Sequence, residues 1–190
     1  MMHCSLLSLG CVFGFAPGTE TKTLTALKAL KIAQRRLRPE VRSKLLSVSS
    51  ARTDGALVPE AWRFVFLDQG TSGHSRVVTV AAKTSSEHPA TVEAFSSIKP
   101  DDLDVLHPIS QSKLTVDSDK VLEQAREEAK LKVVVAADYR LQQSRSSKEP
   151  VWTLNFYGHG EGPIASFVVG AKSGAVEIVG QSSQRVTVEV

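Results

Sequence analysis

The sequence predicts an α+β fold of two similar units, each an N-terminal helix packed on an antiparallel sheet of about four strands. Three observations predict it. Trp62 in Pro59-Glu-Ala-Trp-Arg-Phe-Val-Phe-Leu67 has a counterpart in Trp152 of Pro150-Val-Trp-Thr-Leu-Asn-Phe-Tyr157, 90 residues further on. Val80-Ala-Ala-Lys-Thr-Ser85 is matched by Val169-Gly-Ala-Lys-Ser-Gly174 at an offset of 89. Leu30, Ala33 and Leu37 correspond to Leu122, Ala125 and Ala129 at a constant offset of 92. A fixed period of this kind is the signature of a repeated structural unit.

Each unit opens with a helix. In the first, Leu27, Leu30, Ala33, Gln34 and Leu37 share one side at helical spacing, Thr23 or Thr25 is placed to cap the start, and Pro39 ends the helix near Arg38. In the second, Asp117-Ser118-Asp119 offers the cap, and Val121, Leu122, Ala125, Ala129 and Val133 form the stripe. Its outer side carries Glu128 with Lys132 and Glu127 with Lys130.

Strands follow. The first unit reads as strands over 45–52, 61–67, 76–82 and 91–95, the second over 133–141, 152–157, 164–170 and 175–179. Val, Phe, Trp and Thr are dense in these runs, and clusters of Gly, Pro, Ser and Asp separate them. Asp68-Gln-Gly-Thr-Ser-Gly73 and Gly158-His-Gly-Glu-Gly162 have hairpin-loop length. The organisation expected is a leader over 1–18, a first unit over 19–97, a connector over 98–116 with one helical turn, a second unit over 117–180, and an edge strand over 181–190. In that last segment Val186, Val188 and Val190 alternate onto one face.

The composition is that of a globular protein: 42% hydrophobic and 23% charged in 190 residues. A net charge of +3 demands neither a nucleic acid nor a membrane as partner. From Ser5 to Thr19 there is no charge, and Leu6–Ala16 is mostly apolar. This run is too short to span a bilayer and fits the apolar core of a secretory signal peptide, with Ala16 and Gly18 at the positions a signal peptidase reads. The competing reading is a buried first element. Both cysteines, Cys4 and Cys11, lie in this segment, so its removal leaves no thiol, disulfide or cysteine metal site. Gly10-Cys11 is a partial lipoprotein signal with Ser8 and Leu9 out of pattern, so membrane contact is expected only if the N-terminus is retained or lipidated.

The second unit resembles a PepSY domain. The resemblance rests on Ala125 and Ala129 in the helix, the aromatic-led strand Val151-Trp-Thr-Leu-Asn-Phe-Tyr157, and Phe167-Val-Val-Gly-Ala-Lys-Ser-Gly-Ala-Val-Glu-Ile178. The first unit is similar, with Ser85–Pro89 inserted where the second has a tight Ser173-Gly174 turn. Both lack the Asp that often opens this turn in the family. The resemblance implies a secreted, periplasmic or cell-envelope protein that acts by binding or inhibition, as tandem inhibitors of β-lactamase do. It implies no catalytic residues.

Several residue groups have a chemical reading and a structural one. His74 and His159 fall in the hairpin loops, the latter beside Glu161, and would hold a metal only if the loops converged. The glycines of 158–162 precede a strand-like run rather than a helix, so a hairpin turn explains them better than a nucleotide site. Lys28, Lys31, Arg35 and Arg38 form a basic stripe with Arg42 close after, read as a solvated face because aromatic stacking partners are missing. Trp62 and Trp152 read as core, since apolar residues continue their faces. No Ser, His and Asp grouping carries a catalytic signature, and no cofactor motif is present.

The sequence therefore points to a non-catalytic secreted or envelope protein that binds another protein, inhibiting or regulating an envelope enzyme or peptidase. Partner contacts are expected at His74, His159, Glu161, Val186, Val188 and Val190. The alternatives are a small-molecule or lipid carrier with a groove between helix and sheet, and a structural subunit of an envelope assembly.

Overall fold

The computed structural model describes residues 22–71, 74–84, 92–96, 107–130, 133–143 and 149–181. The leader over 1–18 and Val186, Val188 and Val190 of the expected edge strand lie outside the described residues.

The chain is mixed α+β. Its elements run β1 (Lys22–Thr23), α1 (Ala26–Arg35), α2 (Pro39–Arg42), β2 (Leu45–Ser50), β3 (Ala61–Leu67), β4 (Ser75–Ala81), β5 (Lys83–Thr84) and β6 (Val92–Ser96). A 3-10 turn at Gln111–Lys113 precedes α3 (Ser118–Ala129), β7 (Ala136–Gln142), β8 (Val151–Tyr157), β9 (Pro163–Gly170) and β10 (Val176–Gln181). Strands β1 and β5 form a small separate pair.

The remaining eight strands form one antiparallel sheet in the order β10-β9-β8-β7-β2-β3-β4-β6. Two sheets of about four strands were expected; a single sheet forms instead, because β2 and β7 pair edge to edge. Pairing satisfies the row of N–H and C=O groups that each four-stranded meander would otherwise present on its first strand. At that junction Ser49 pairs with Arg140. Ser49 also pairs with Arg63, next after Trp62, and Arg140 with Thr153, next after Trp152.

Both helices cover the same face of the sheet, α1 over β3 and β4 and α3 over β8 and β9. Between them lies a core containing Val48, Phe64, Val78, Leu154, Phe156 and Phe167, all fully buried. Trp62 and Trp152 are 1% and 0% exposed, which makes each indole a core group as the sequence predicts. Each buries on the order of 200 Å². Their polar edges are satisfied in the same way. The Trp62 indole N–H donates to the Leu24 carbonyl at 2.9 Å, and the Leu24 amide donates to Ala82 O at 2.7 Å. The Trp152 indole donates to Val116 O at 3.0 Å, and the Val116 amide to Ala171 O at 2.9 Å.

The helix ends differ from expectation. Helix α1 stops at Arg35, and Pro39 opens the short helix α2 rather than merely ending α1; a proline at the first helical position loses no hydrogen bond. Thr25 holds the N-cap position of α1, yet its side chain makes no capping bond. The α1 amides of Ala26 and Leu27 donate instead to Ser118 Oγ at 3.0 Å and Asp117 Oδ1 at 2.9 Å. Helix α3 ends at Ala129, with Lys130 in the left-handed region at φ 46. Val133 therefore leaves the helical stripe and is half exposed.

Candidate functional site

The helices cover one face of the sheet; on the other, Leu46, Ser47, Val65 and Val77 are buried while Arg63 and Arg140 are exposed. Side chains alternate along each strand, so the residues between the buried ones belong to that second face. Across it runs a row of directly paired residues: Thr79, Arg63, Ser49, Arg140, Thr153 and Val168, one from each of β4, β3, β2, β7, β8 and β9. Arg63 and Arg140 are exposed and flank Ser49. They stand two strands apart, a backbone separation of about 10 Å. Neither guanidinium has an ionic or hydrogen-bonding partner among the described residues. Leu46, Val65 and Val77, with Leu67, make a small apolar cluster towards the β3–β4 end of this face.

Beside the arginines lies a polar network. Asn155 Nδ2 donates to Asp138 Oδ1 at 2.9 Å, Ser166 Oγ donates to Asn155 Oδ1 at 2.7 Å, and the Tyr157 hydroxyl donates to Asp138 Oδ2. Burial, and then the Asp138 carboxylate, push the Tyr157 phenol up to about 12. The Arg52 guanidinium sits 4.6 Å from the centre of the Tyr157 ring, within cation–π range. These groups hold one another, and they lie next to two guanidinium groups that have no partner among the described residues.

The residues singled out in the hairpin loops do not come together. The β3–β4 loop lies at the Leu45 end of β2, where Leu45 pairs with Phe66. The β8–β9 loop lies at the opposite end, because Tyr157 pairs with Ala136 at the start of β7, which runs antiparallel to β2. His74 is exposed on the first loop with φ 50; His159 and Glu161 are exposed on the second, whose carbonyls at Gly160 and Glu161 meet Arg52 Nη1 at 3.4 Å. Gly158–Gly162 joins two antiparallel strands and opens no helix, which is hairpin geometry. Among the described residues no three of His, Cys, Asp and Glu are grouped to hold a metal, and no helix is long and apolar enough to cross a membrane.

Sequence reasoning missed two clusters. The first is Asp68, buried after β3, which accepts from Arg38 at 3.0 Å, from Arg76 through Nε at 3.2 Å and Nη2 at 3.0 Å, and from the Gly70 amide at 3.1 Å. Burial works to raise its pKa; the Arg76 and Gly70 hydrogen bonds and both guanidinium charges outweigh that and hold the carboxyl below its ordinary value. The second is a cleft of ≈ 310 Å³ at the abutting helix starts, lined by Leu24, Lys28, Trp62, Asp119, Leu122 and Tyr139. Tyr139 meets Trp62 edge-on at 5.4 Å and donates its hydroxyl to Leu57 O, and its burial raises its pKa. The only advance signal for Asp68 was its place directly after an apolar strand, which reads equally as a turn.

No protein-family profile, no curated protein and no solved structure matches this chain.

Proposed function

We propose that this chain is a non-catalytic, secreted or cell-envelope binding protein built from two PepSY-like units, over 19–97 and 117–180. It docks the helix-free face of its sheet onto an acidic surface of another protein, an envelope enzyme or peptidase that it restrains. The observation that carries this reading is the pair of exposed guanidinium groups of Arg63 and Arg140 on either side of Ser49, which have no partner among the described residues. An arginine is weakly hydrated and presents a fork of donors that fits carboxylates, and it is enriched where interfaces gain most of their energy. Two of them on a rigid sheet meet a partner without loss of backbone freedom.

Support for the duplication is residue by residue. The two indole clasps use Leu24 and Ala82 in one half and Val116 and Ala171 in the other. Ser49 and Arg140 occupy equivalent registers beside the two tryptophan strands and pair with each other, as a local twofold axis between β2 and β7 requires.

A carrier is the second reading, favoured by the cleft at Trp62 and Tyr139. Away from that cleft, Ala29, Ala33 and Ala125 of the helices are fully buried against the sheet. Native mass spectrometry of the purified protein separates the two, since a carrier retains a bound small molecule.

The test is capture from envelope extract with the wild-type chain and with Arg63→Glu/Arg140→Glu, followed by calorimetry on the purified, identified partner. The expected result is a saturable complex that the double reversal abolishes while leaving the melting temperature unchanged. Equal affinity of the same partner for both chains removes the sheet face from the mechanism.

A further inference from the structure

We infer that the groove between α1 and α2, on the helix side of the molecule, binds a phosphate-bearing anion. The basic stripe of the first helix does not behave as one surface. Arg38 leaves it, turning to Asp68 at 3.0 Å and Glu40 at 3.4 Å. Of the cations that remain, Lys28 lines the cleft at the helix starts, while Lys31, Arg35 and Arg42 border a groove of ≈ 430 Å³ together with Gln34, Ser43 and Gln111, with no carboxylate among the described residues that line it. None of the three has an ionic partner among the described residues.

The groove is held in shape. Arg42 donates from Nε to Leu37 O at 2.6 Å, which fixes its guanidinium; among the described residues its terminal nitrogens have no acceptor. The side-chain amides of Gln34 and Gln111 both donate to Arg42 O, at 3.0 and 2.8 Å, and Gln34 also donates to Gln111 Oε1 at 2.9 Å. Helix α1, helix α2 and the 3-10 turn are thereby tied at the point where the cations meet.

Like charges gathered at a concavity repel one another and raise the local positive potential. The carbonyl end of α1 opposes an anion here with about half an elementary charge. Three full cations outweigh it. A phosphate answers this site better than a lone carboxylate because it brings close to two negative charges and several acceptor oxygens, which suit a guanidinium fork. The space falls within the ordinary range for small-ligand sites, so the ligand has room for more than one phosphate. The same chemistry is offered by a soluble phosphoester and by an anionic lipid headgroup.

The experiment uses the full chain with pyrophosphate by calorimetry, and with phosphatidylcholine vesicles with and without phosphatidic acid by co-sedimentation. Lys31→Ala/Arg35→Ala changes two exposed side chains and is checked for an unchanged melting temperature. Arg126→Ala removes one exposed charge from α3, away from the groove. We expect saturable binding that the double variant weakens about tenfold or more, that rising salt weakens further, and that Arg126→Ala leaves unchanged. Binding of pyrophosphate assigns a soluble ligand, and binding only of phosphatidic acid vesicles assigns a headgroup; either supports the site. Failure of both probes to bind, or an equal loss with Arg126→Ala, overturns it. Neither arm reads the sheet face, so its outcome is separate from that of the protein-binding proposal.

Discussion

The carboxylate of Asp117 accepts the backbone amide of Leu27 at 2.9 Å, capping a helix 90 residues away in sequence. The same Oδ1 accepts the Ser118 amide at 2.7 Å at the start of its own helix, so one oxygen serves two helix N-termini. Ser118 Oγ completes the junction by accepting the Ala26 amide in a buried contact. The first amides of a helix have no partner within it, and the helix dipole makes negative charge favourable there. Asp117→Ala therefore removes two caps at once and is expected to cost about 2 kcal/mol. Asp117→Asn keeps an acceptor and should recover more than half of that. Urea midpoints of the three chains measure it; a loss no larger than an ordinary single cap would show that α1 does not depend on Asp117.

Asp68 links α1 to the β3–β4 hairpin through Arg38 and Arg76. Asp68→Asn leaves two guanidinium groups facing a neutral amide and is expected to destabilise by about 2 kcal/mol near neutral pH. The sign of the pH dependence follows from the lowered pKa. A carboxyl whose folded pKa lies below its unfolded value stabilises the fold above the unfolded value, about 3.9, and loses that contribution as pH falls through the folded one. The gap in urea midpoint between wild type and Asp68→Asn should thus hold from pH 7 to 5 and narrow as pH drops below 4. A gap that stays constant down to pH 2.5 would show that the Asp68 charge is not what matters.

What was readable in the sequence divides along physical lines. Strands β3, β4, β8 and β9 were legible because alternating apolar residues must face one core, and the two indoles because large apolar groups rarely stay in water. The joining of the meanders was not, since Ser49 and Arg140 pair through backbone groups that every residue carries. Helix caps were misassigned for a related reason. Local rules give α1 the nearest hydroxyl, Thr25, whereas its oxygen is buried with no partner among the described residues and the caps come from residues brought near only by folding. Val133 sits at helical spacing from Ala129, and nothing in that spacing reveals that Lys130 turns left-handed and ends the helix. Of the candidate site, the basic stripe was visible as composition. Its division into Arg38 bound to Asp68, Lys28 at the cleft of the helix starts, and Lys31, Arg35 and Arg42 around a groove required the turn at Pro39.

The β9–β10 turn is organised by Glu149, whose carboxylate accepts the amides of Lys172 and Ser173 and the Ser173 hydroxyl at 2.6 Å. These bonds, the hydroxyl first, hold its pKa below the ordinary value. A Cβ at Gly170 would collide with Ser173 Oγ and approach Glu149 Oε1 to 2.5 Å. Gly170→Ala must then displace the Glu149 carboxylate, so its effect and that of Glu149→Ala should overlap. A double-mutant cycle is expected to show the pair costing clearly less than the sum of the singles. Strict additivity would mean that the methyl group fits without moving Glu149.

Trp62 and Trp152 provide the sharpest comparison between the two halves. Each is buried, and each donates its indole N–H to a carbonyl just ahead of a helix. Replacement by Phe keeps most of the apolar area but strands that carbonyl, a loss of about 1–2 kcal/mol at either position. Trp62 has an additional contact that Trp152 lacks among the described residues, the edge-on Tyr139 ring at 5.4 Å. A pair of that geometry is worth about 0.5–1.5 kcal/mol beyond area, and the smaller Phe ring reaches it less well. Trp62→Phe should therefore lower stability somewhat more than Trp152→Phe, and Tyr139→Leu should bring the two closer together. If one half carried the fold alone, one substitution would be nearly silent. Urea midpoints that fall for both, with Trp62→Phe falling further, are the result equivalent anchors require.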